Sequence, residues 1–330
     1  MSIFLGRDSQ SLAKDIVLID GFSSSGKSLI GPIFGYLERS EQWQVDDFYE
    51  YISILNYLGE VSSESLSALI KVNADKLLYN LSLGRNVNFR ATDLSSPYYD
   101  NLQDLYLQRL NKKEGDSVSK EIIKYNPILP LNIHNMFGYS RALFDGFGDR
   151  LKLYIIMLRD PFVLIGEWHN RGWVNRLGSD NREFTLCINY NGNSIPWYAL
   201  EYADQYLMST DFEKAILTVY NLYNRIFKMY RNLTPKEKKK IMVIFFEDFE
   251  LYPEGYINKI CHTLNTKKSE NFQYILQKLS LPKKNKAKEL PSLKIFSNKH
   301  KKEIPENFYS LLQDLESDYL KFNSEIICSD

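Results

Sequence analysis

Residues Gly21-Phe22-Ser23-Ser24-Ser25-Gly26-Lys27-Ser28 spell a G-x-x-x-x-G-K-S loop. That spacing builds a cradle for phosphate. Glycines let the backbone curl until successive N–H groups converge on phosphate oxygens. A helix starting directly after the loop adds the positive end of its dipole. Lys27 sets an ammonium beside the same oxygens, and Ser28 offers a hydroxyl to a phosphate or to Mg2+. The chain is therefore expected to bind a nucleotide or a related phosphorylated cofactor. The loop leaves the reaction open among ATP hydrolysis, kinase transfer and sulfuryl transfer.

Three further segments narrow the choice. Leu158-Arg159-Asp160-Pro161 ends the strongest internal strand. Ligands of open α/β sheets sit at the carboxyl ends of strands, which suits Arg159 to an anion. His134 closes Leu131-Asn132-Ile133-His134, another strand end, where an imidazole can take a proton near neutral pH. Phe246-Glu247-Asp248-Phe249 follows the last strand. In order and approximate spacing, over about 16–265, these pieces resemble the sulfotransferase family. Its members carry a Gly/Ser loop after the first strand, a catalytic His after a later one, an Arg-x-Pro segment and a Tyr-Glu-Asp-Leu-like segment.

The resemblance implies an enzyme that uses 3'-phosphoadenosine-5'-phosphosulfate. Ser23, Ser24, Ser25, Gly26, Lys27 and Ser28 would grip the 5'-phosphosulfate, and Arg159 the 3'-phosphate. His134 would deprotonate a hydroxyl or amine of a carbohydrate or small-molecule acceptor, with Lys27 stabilising the charge that develops. No metal is required. Trp168, His169, Arg171 and Trp173 would line the acceptor cleft, with Arg90 a further candidate. Two positions depart from the family pattern. Its loop lysine falls at Ser24, so the ammonium has moved three residues along to Lys27. Its 3'-phosphate serine falls at Glu167, whose carboxylate would repel a phosphate unless turned away or paired. The alternative is a P-loop kinase or NTPase using ATP and Mg2+. Its support is the complete Lys27-Ser28 ending, the acidic Asp46-Asp47-Phe48-Tyr49 segment and a basic lid from Arg171, Arg176 and Arg182. A non-catalytic nucleotide-binding protein is the third reading.

These residues need a scaffold. Ile16 to Ile19 reads as a buried parallel strand, with a helix over Leu29 to Arg39 behind the loop. Further strands are expected at Asn86 to Phe89, Ile128 to Ile133, Leu153 to Leu158 and Ile241 to Phe246. Helices are expected across 45–82 and 100–125, and near 306–322. This alternation predicts an α/β fold with a P-loop-type parallel sheet flanked by helices on both faces. One domain over 1–330 is expected. Residues 168–200 break the pattern as a lid-like insertion outside the sheet, and 283–330 form a C-terminal helical extension.

Composition limits the partners. Lys and Arg number 41 and Asp and Glu number 41 in 330 residues, so a polyanion-coating protein is disfavoured. The basic runs Lys236 to Lys240 and Lys283 to Lys288 read as a solvated helix end and a linker. Cys187, Cys261 and Cys328 show no Cys-x-x-Cys spacing, which argues against a thiolate metal site or a disulfide framework. No signal sequence or membrane-spanning run is visible, so a cytoplasmic location is expected. Acceptor identity and oligomeric state are not encoded legibly.

Overall fold

The computed structural model describes residues 5–6, 10–99, 102–283 and 292–328. The chain begins β1 (Asp15–Gly21), α1 (Lys27–Phe34), β2 (Gln44–Val45), α2 (Phe48–Tyr57), α3 (Ser63–Ser82), α4 (Gln103–Arg109) and α5 (Asp116–Tyr125). It continues β3 (Ile128–Asn132), α6 (Arg141–Phe147), β4 (Leu151–Leu158), α7 (Pro161–Asn170), β5 (Cys187–Tyr190), β6 (Asn193–Pro196) and α8 (Ala203–Met208). It ends α9 (Asp211–Arg231), α10 (Pro235–Lys238), β7 (Ile241–Phe245), α11 (Phe246–Leu251), α12 (Pro253–Leu264), α13 (Phe272–Lys278), α14 (Leu293–Lys299) and α15 (Glu306–Ile327). Two compact units result, one of Met1–Leu158 with Thr234–Lys286, the other of Arg159–Leu233 with Ala287–Asp330.

The first unit is a five-stranded parallel sheet in the order β2-β3-β1-β4-β7, flanked by helices. Its alternation follows the pleat. Val17, Ile19, Leu153, Ile155, Met157, Met242 and Ile244 are buried with Ile30, Ile33 and Phe34 of α1, Ile257 and Ile260 of α12, and Phe272 and Ile275 of α13. Fully burying each such side chain is worth about 1.5–3 kcal/mol. The register aligns the carboxyl ends of the strands. Ile19 pairs with Asn132, Val45 with Asn132, Gly21 with Met157, and Leu158 with Phe245. Loop 21–28, the start of α2, segment 133–137 and the start of α11 all leave that edge.

One expectation about strands is corrected. Asn86 to Phe89 is not a strand: Asn86 sits in the left-handed region at φ 58°, and the Asn88 amide bonds Asp93 and Ser95 at 3.1 Å each. Polar side chains that satisfy their own loop leave no edge for a ladder. The second strand is instead the short Gln44–Val45. The insertion at 168–200 contains strands of its own, the antiparallel β5–β6 hairpin. Asn191 and Gly192 at φ 51° and 82° turn it, as a primed hairpin turn requires.

The second unit holds this hairpin and a helical group. An aromatic seam joins α9 to α15, with Phe227 at 4.6 Å and Tyr230 at 5.2 Å from Phe322, and Tyr223 at 5.9 Å from Tyr319. Thr210 and Glu213 close a capping box on α9. The terminal helix predicted near 306–322 is α15. Of the basic run Lys283 to Lys288, only Lys283 lies within the described residues. Among those residues, no helix is long and apolar enough to cross a membrane.

Candidate functional site

The loop closes on itself directly after β1. The Ser25 N–H donates to Phe22 O at 3.0 Å. Gly26 lies at φ 96°, and a Cβ there would fall 2.1 Å from Cδ2 of Phe246. Glycine is therefore required twice over, by conformation and by the ring against it. Phe246 belongs to the acidic-aromatic segment singled out in the sequence, so that segment packs on the loop. No side chain caps α1; the Leu29 N–H turns back to Gly26 O at 2.9 Å, which leaves the earlier amides of the first turn, at Lys27 and Ser28, as the ones an anion can use. Ser23 and Ser24 are half-buried, Ser28 is exposed, and the buried Oγ of Ser25 has no hydrogen-bond partner.

Lys27 is buried, and its Nζ donates to Gly21 O at 2.8 Å and Phe22 O at 2.9 Å. Burial pushes its pKa down to about 8, while the carboxylates of Asp20 and Glu50 pull it back up. An anion entering the cradle meets an ammonium already folded onto the loop.

Asp20, at the end of β1, ties the loop to the chain leaving β3. Its carboxylate accepts from the backbone N–H of Met136 at 3.1 Å, that of Phe137 at 2.5 Å and the hydroxyl of Tyr154 at 2.9 Å. Burial raises its pKa to about 6, with Lys27 opposing. Asp20→Ala takes the acceptor from four buried donors, the Gly21, Met136 and Phe137 N–H groups and the Tyr154 hydroxyl, and a buried donor left unpaired costs about 1–3 kcal/mol. The expected result is a clear drop in the denaturant midpoint, at least about 4 kcal/mol in stability if all four stay unpaired. An unchanged midpoint would show that segment 133–137 does not depend on this carboxylate.

His134 leaves β3 on the segment that Asp20 fixes. Both its backbone N–H and its Nδ1 lie on one oxygen, Oε1 of Glu50, at 2.9 and 2.8 Å. Glu50 comes from the first turn of α2 and is 15% exposed, whereas the His134 ring is 36% exposed. Burial pushes the Glu50 carboxyl up to about 8; Asp47 adds to the rise and Lys27 opposes it. Burial and the Lys27 charge hold the His134 imidazole well below its ordinary range. Asp46, just before the N-cap of α2, accepts from Phe48 N at 3.0 Å and from Asn73 at 2.9 Å, and the N-cap residue Asp47 is exposed.

The first unit thus brings together Ser23 to Ser28, Lys27, His134 and Phe246. Glu50 and Asp20 complete the group, and neither stood out in the sequence. Arg90 stays at the surface, 3.6 Å from Asp93. Arg159, Trp168, His169, Arg171 and Trp173 belong to the second unit. There the backbone of Arg159 is held by the Tyr223 hydroxyl, which meets both its N–H and its carbonyl. Asp160 caps α7 through Phe162 N and Val163 N, with Pro161 at the first position, as an Asp-Pro pair at a helix start should. Glu167 is paired with Arg171 at 2.9 Å, so its charge is met by the residue that caps the end of its helix. Trp168 is buried, His169 lies 3.4 Å from Glu303, and Arg176 covers the Trp173 ring at 3.6 Å. Among the described residues, no group of three or more His, Cys, Asp or Glu is arranged to hold a metal ion.

No protein-family profile matches the sequence, and no curated protein matches it either. Solved structures similar to the chain include a sulfotransferase domain from the curacin biosynthetic pathway, with 12% identity and a TM-score of 0.47, over 94% of this chain and 98% of that one. A sulfotransferase domain from the Synechococcus PCC 7002 olefin synthase gives 12% identity and a TM-score of 0.46, over 97% and 98%. A sulfotransferase from Mycobacterium avium gives 11% identity and a TM-score of 0.42, over 95% and 77%.

Proposed function

We propose that the protein is a sulfotransferase moving a sulfuryl group from 3'-phosphoadenosine-5'-phosphosulfate to a hydroxyl or amine of a carbohydrate or small-molecule acceptor. The observation that carries this reading is the meeting of a phosphate-type loop, its buried Lys27 and His134 at one sheet edge. The cradle fits the nucleotide's anionic end. It offers uncapped helix amides, a folded-in ammonium and a buried, unpartnered Ser25 hydroxyl.

When bound, the nucleotide supplies a sulfuryl group on a phosphate leaving group. The chain's own work is electrostatic and acid–base. The loop amides and Lys27 hold negative charge on the leaving side, where preorganised donors count most. His134 takes the acceptor's proton. Arg159 is proposed as the cation for the 3'-phosphate. The direct test is transfer of label from sulfur-labelled 3'-phosphoadenosine-5'-phosphosulfate to a panel of sugars, alcohols and amines. Labelled product that requires active protein supports the reading; release of label to water alone, whatever the acceptor, contradicts it.

One observation favours a second reading. Asp47 lies exposed at the strand edge, close enough to influence both Glu50 and His134. A carboxylate there, with the Lys27-Ser28 ending, suits an ATP- and Mg2+-dependent phosphotransferase. The two readings separate on nucleotide preference.

A further inference from the structure

A neutral imidazole carries one proton on two nitrogens, and its partner decides which. At His134 that partner is Glu50, across 84 residues of sequence. The same oxygen that meets Nδ1 also accepts the residue's own backbone N–H, so ring and main chain are clamped together. We propose that Glu50 is a positioning residue for His134: its carboxylate takes the Nδ1 proton in a hydrogen bond and leaves Nε2, across the ring, bare to act as the base. This assignment rests on the sulfotransferase reading for its consequence, but its geometry stands without it.

The acceptor's proton goes to Nε2 as the acceptor atom becomes the nucleophile. The imidazolium so formed then faces the Glu50 carboxylate, which stabilises it, as in triad catalysis. The pair must first lose one shared proton. With the shared proton on Glu50 and donated to Nδ1, or with both ring nitrogens protonated, Nε2 carries hydrogen and is no base. Lys27 from α1 favours that loss. Asp46 and Asp47 at the start of α2 oppose it, and Asp20 from β1 acts on the imidazole in the same sense. Tyr154 from β4 also feels the Glu50 charge. Burial dominates and holds the carboxyl's proton to about 8. Nε2 should therefore become bare well above the range of an ordinary histidine.

The test is nitrogen NMR of the whole chain with labelled histidine. Only four histidines are present, so His134→Asn identifies the signal by its loss. Above pH 8 the wild-type ring is expected as the Nδ1–H form. Glu50→Leu removes the acceptor, and the ring is expected to revert to the Nε2–H form that unconstrained imidazole prefers. Glu50→Gln keeps an acceptor that cannot titrate, so its Nε2 should become bare at a pH at least about one unit lower than wild type. A wild-type ring in the Nε2–H form above pH 8, or a midpoint unmoved in Glu50→Gln, overturns the proposal. The Gln variant decides the matter even if Leu prevents folding. Titration of the wild type with 3'-phosphoadenosine-5'-phosphate is run alongside. Absence of binding contradicts the sulfotransferase reading and leaves the tautomer result intact.

Discussion

Lys27→Ala is expected to weaken binding of 3'-phosphoadenosine-5'-phosphate by roughly 10–100-fold, the worth of charge-assisted hydrogen bonds to one ammonium. Turnover should fall further, by about 10²–10³-fold, because the charge on the leaving phosphate grows in the transition state. Calorimetry and initial rates read the two effects separately. The ammonium also sets a pH dependence. Its pKa is lowered to about 8, so the cation is present below that pH and lost above it. Affinity for the bisphosphate should therefore decline as pH rises through about 8, and the Ala variant should lack this decline. A bound anion stabilises the charged form, so the falling limb of kcat should lie at higher pH than that of kcat/KM. Wild-type affinity in the Ala variant would remove Lys27 from the binding site.

His134→Ala is the second large effect. Loss of a general base costs about 10²–10⁴-fold in turnover. Binding of the bisphosphate should be preserved, because the cradle is built from 21–28 and α1 and takes no bond from the imidazole. His134→Asn keeps a donor for Glu50 and controls for disturbance of α2; its turnover should be as low as that of the Ala variant. Full turnover in either variant would transfer the base role elsewhere, with Glu50 the nearest carboxylate.

The parts of the fold that were legible are those where one local signal dominates. Ile16 to Ile19 is an uninterrupted apolar run because β1 is buried on both faces, and the glycines that follow have no other economical use. β4 and β7 read clearly for the same reason. Gln44–Val45 did not, because a two-residue edge strand with a polar and an exposed residue carries no periodicity. Asn86 to Phe89 mimicked a strand by alternation alone, while its asparagines were committed to turns. The site divides similarly. Lys27 stands in a loop motif and His134 just past a strand end, where position itself is informative. Glu50 sits in the first turn of an amphipathic helix, where a carboxylate reads as solvent-facing until the fold brings His134 to it. Asp20 looked like the polar end of a strand; beside the neighbouring Gly21 N–H, three of its four donors come from segments more than a hundred residues away. Trp168 and Glu167 show the reverse. Both drew attention as ligand neighbours; Trp168 is buried and Glu167 is paired with Arg171, and neither environment is legible in the sequence.

The reaction class rests on which nucleotide the cradle holds. Isothermal calorimetry with 3'-phosphoadenosine-5'-phosphate and with ATP, each with and without Mg2+, measures this directly. The sulfotransferase account predicts saturable binding of the bisphosphate without Mg2+ and little affinity for ATP. Mg2+-dependent binding of ATP with no response to the bisphosphate would contradict it.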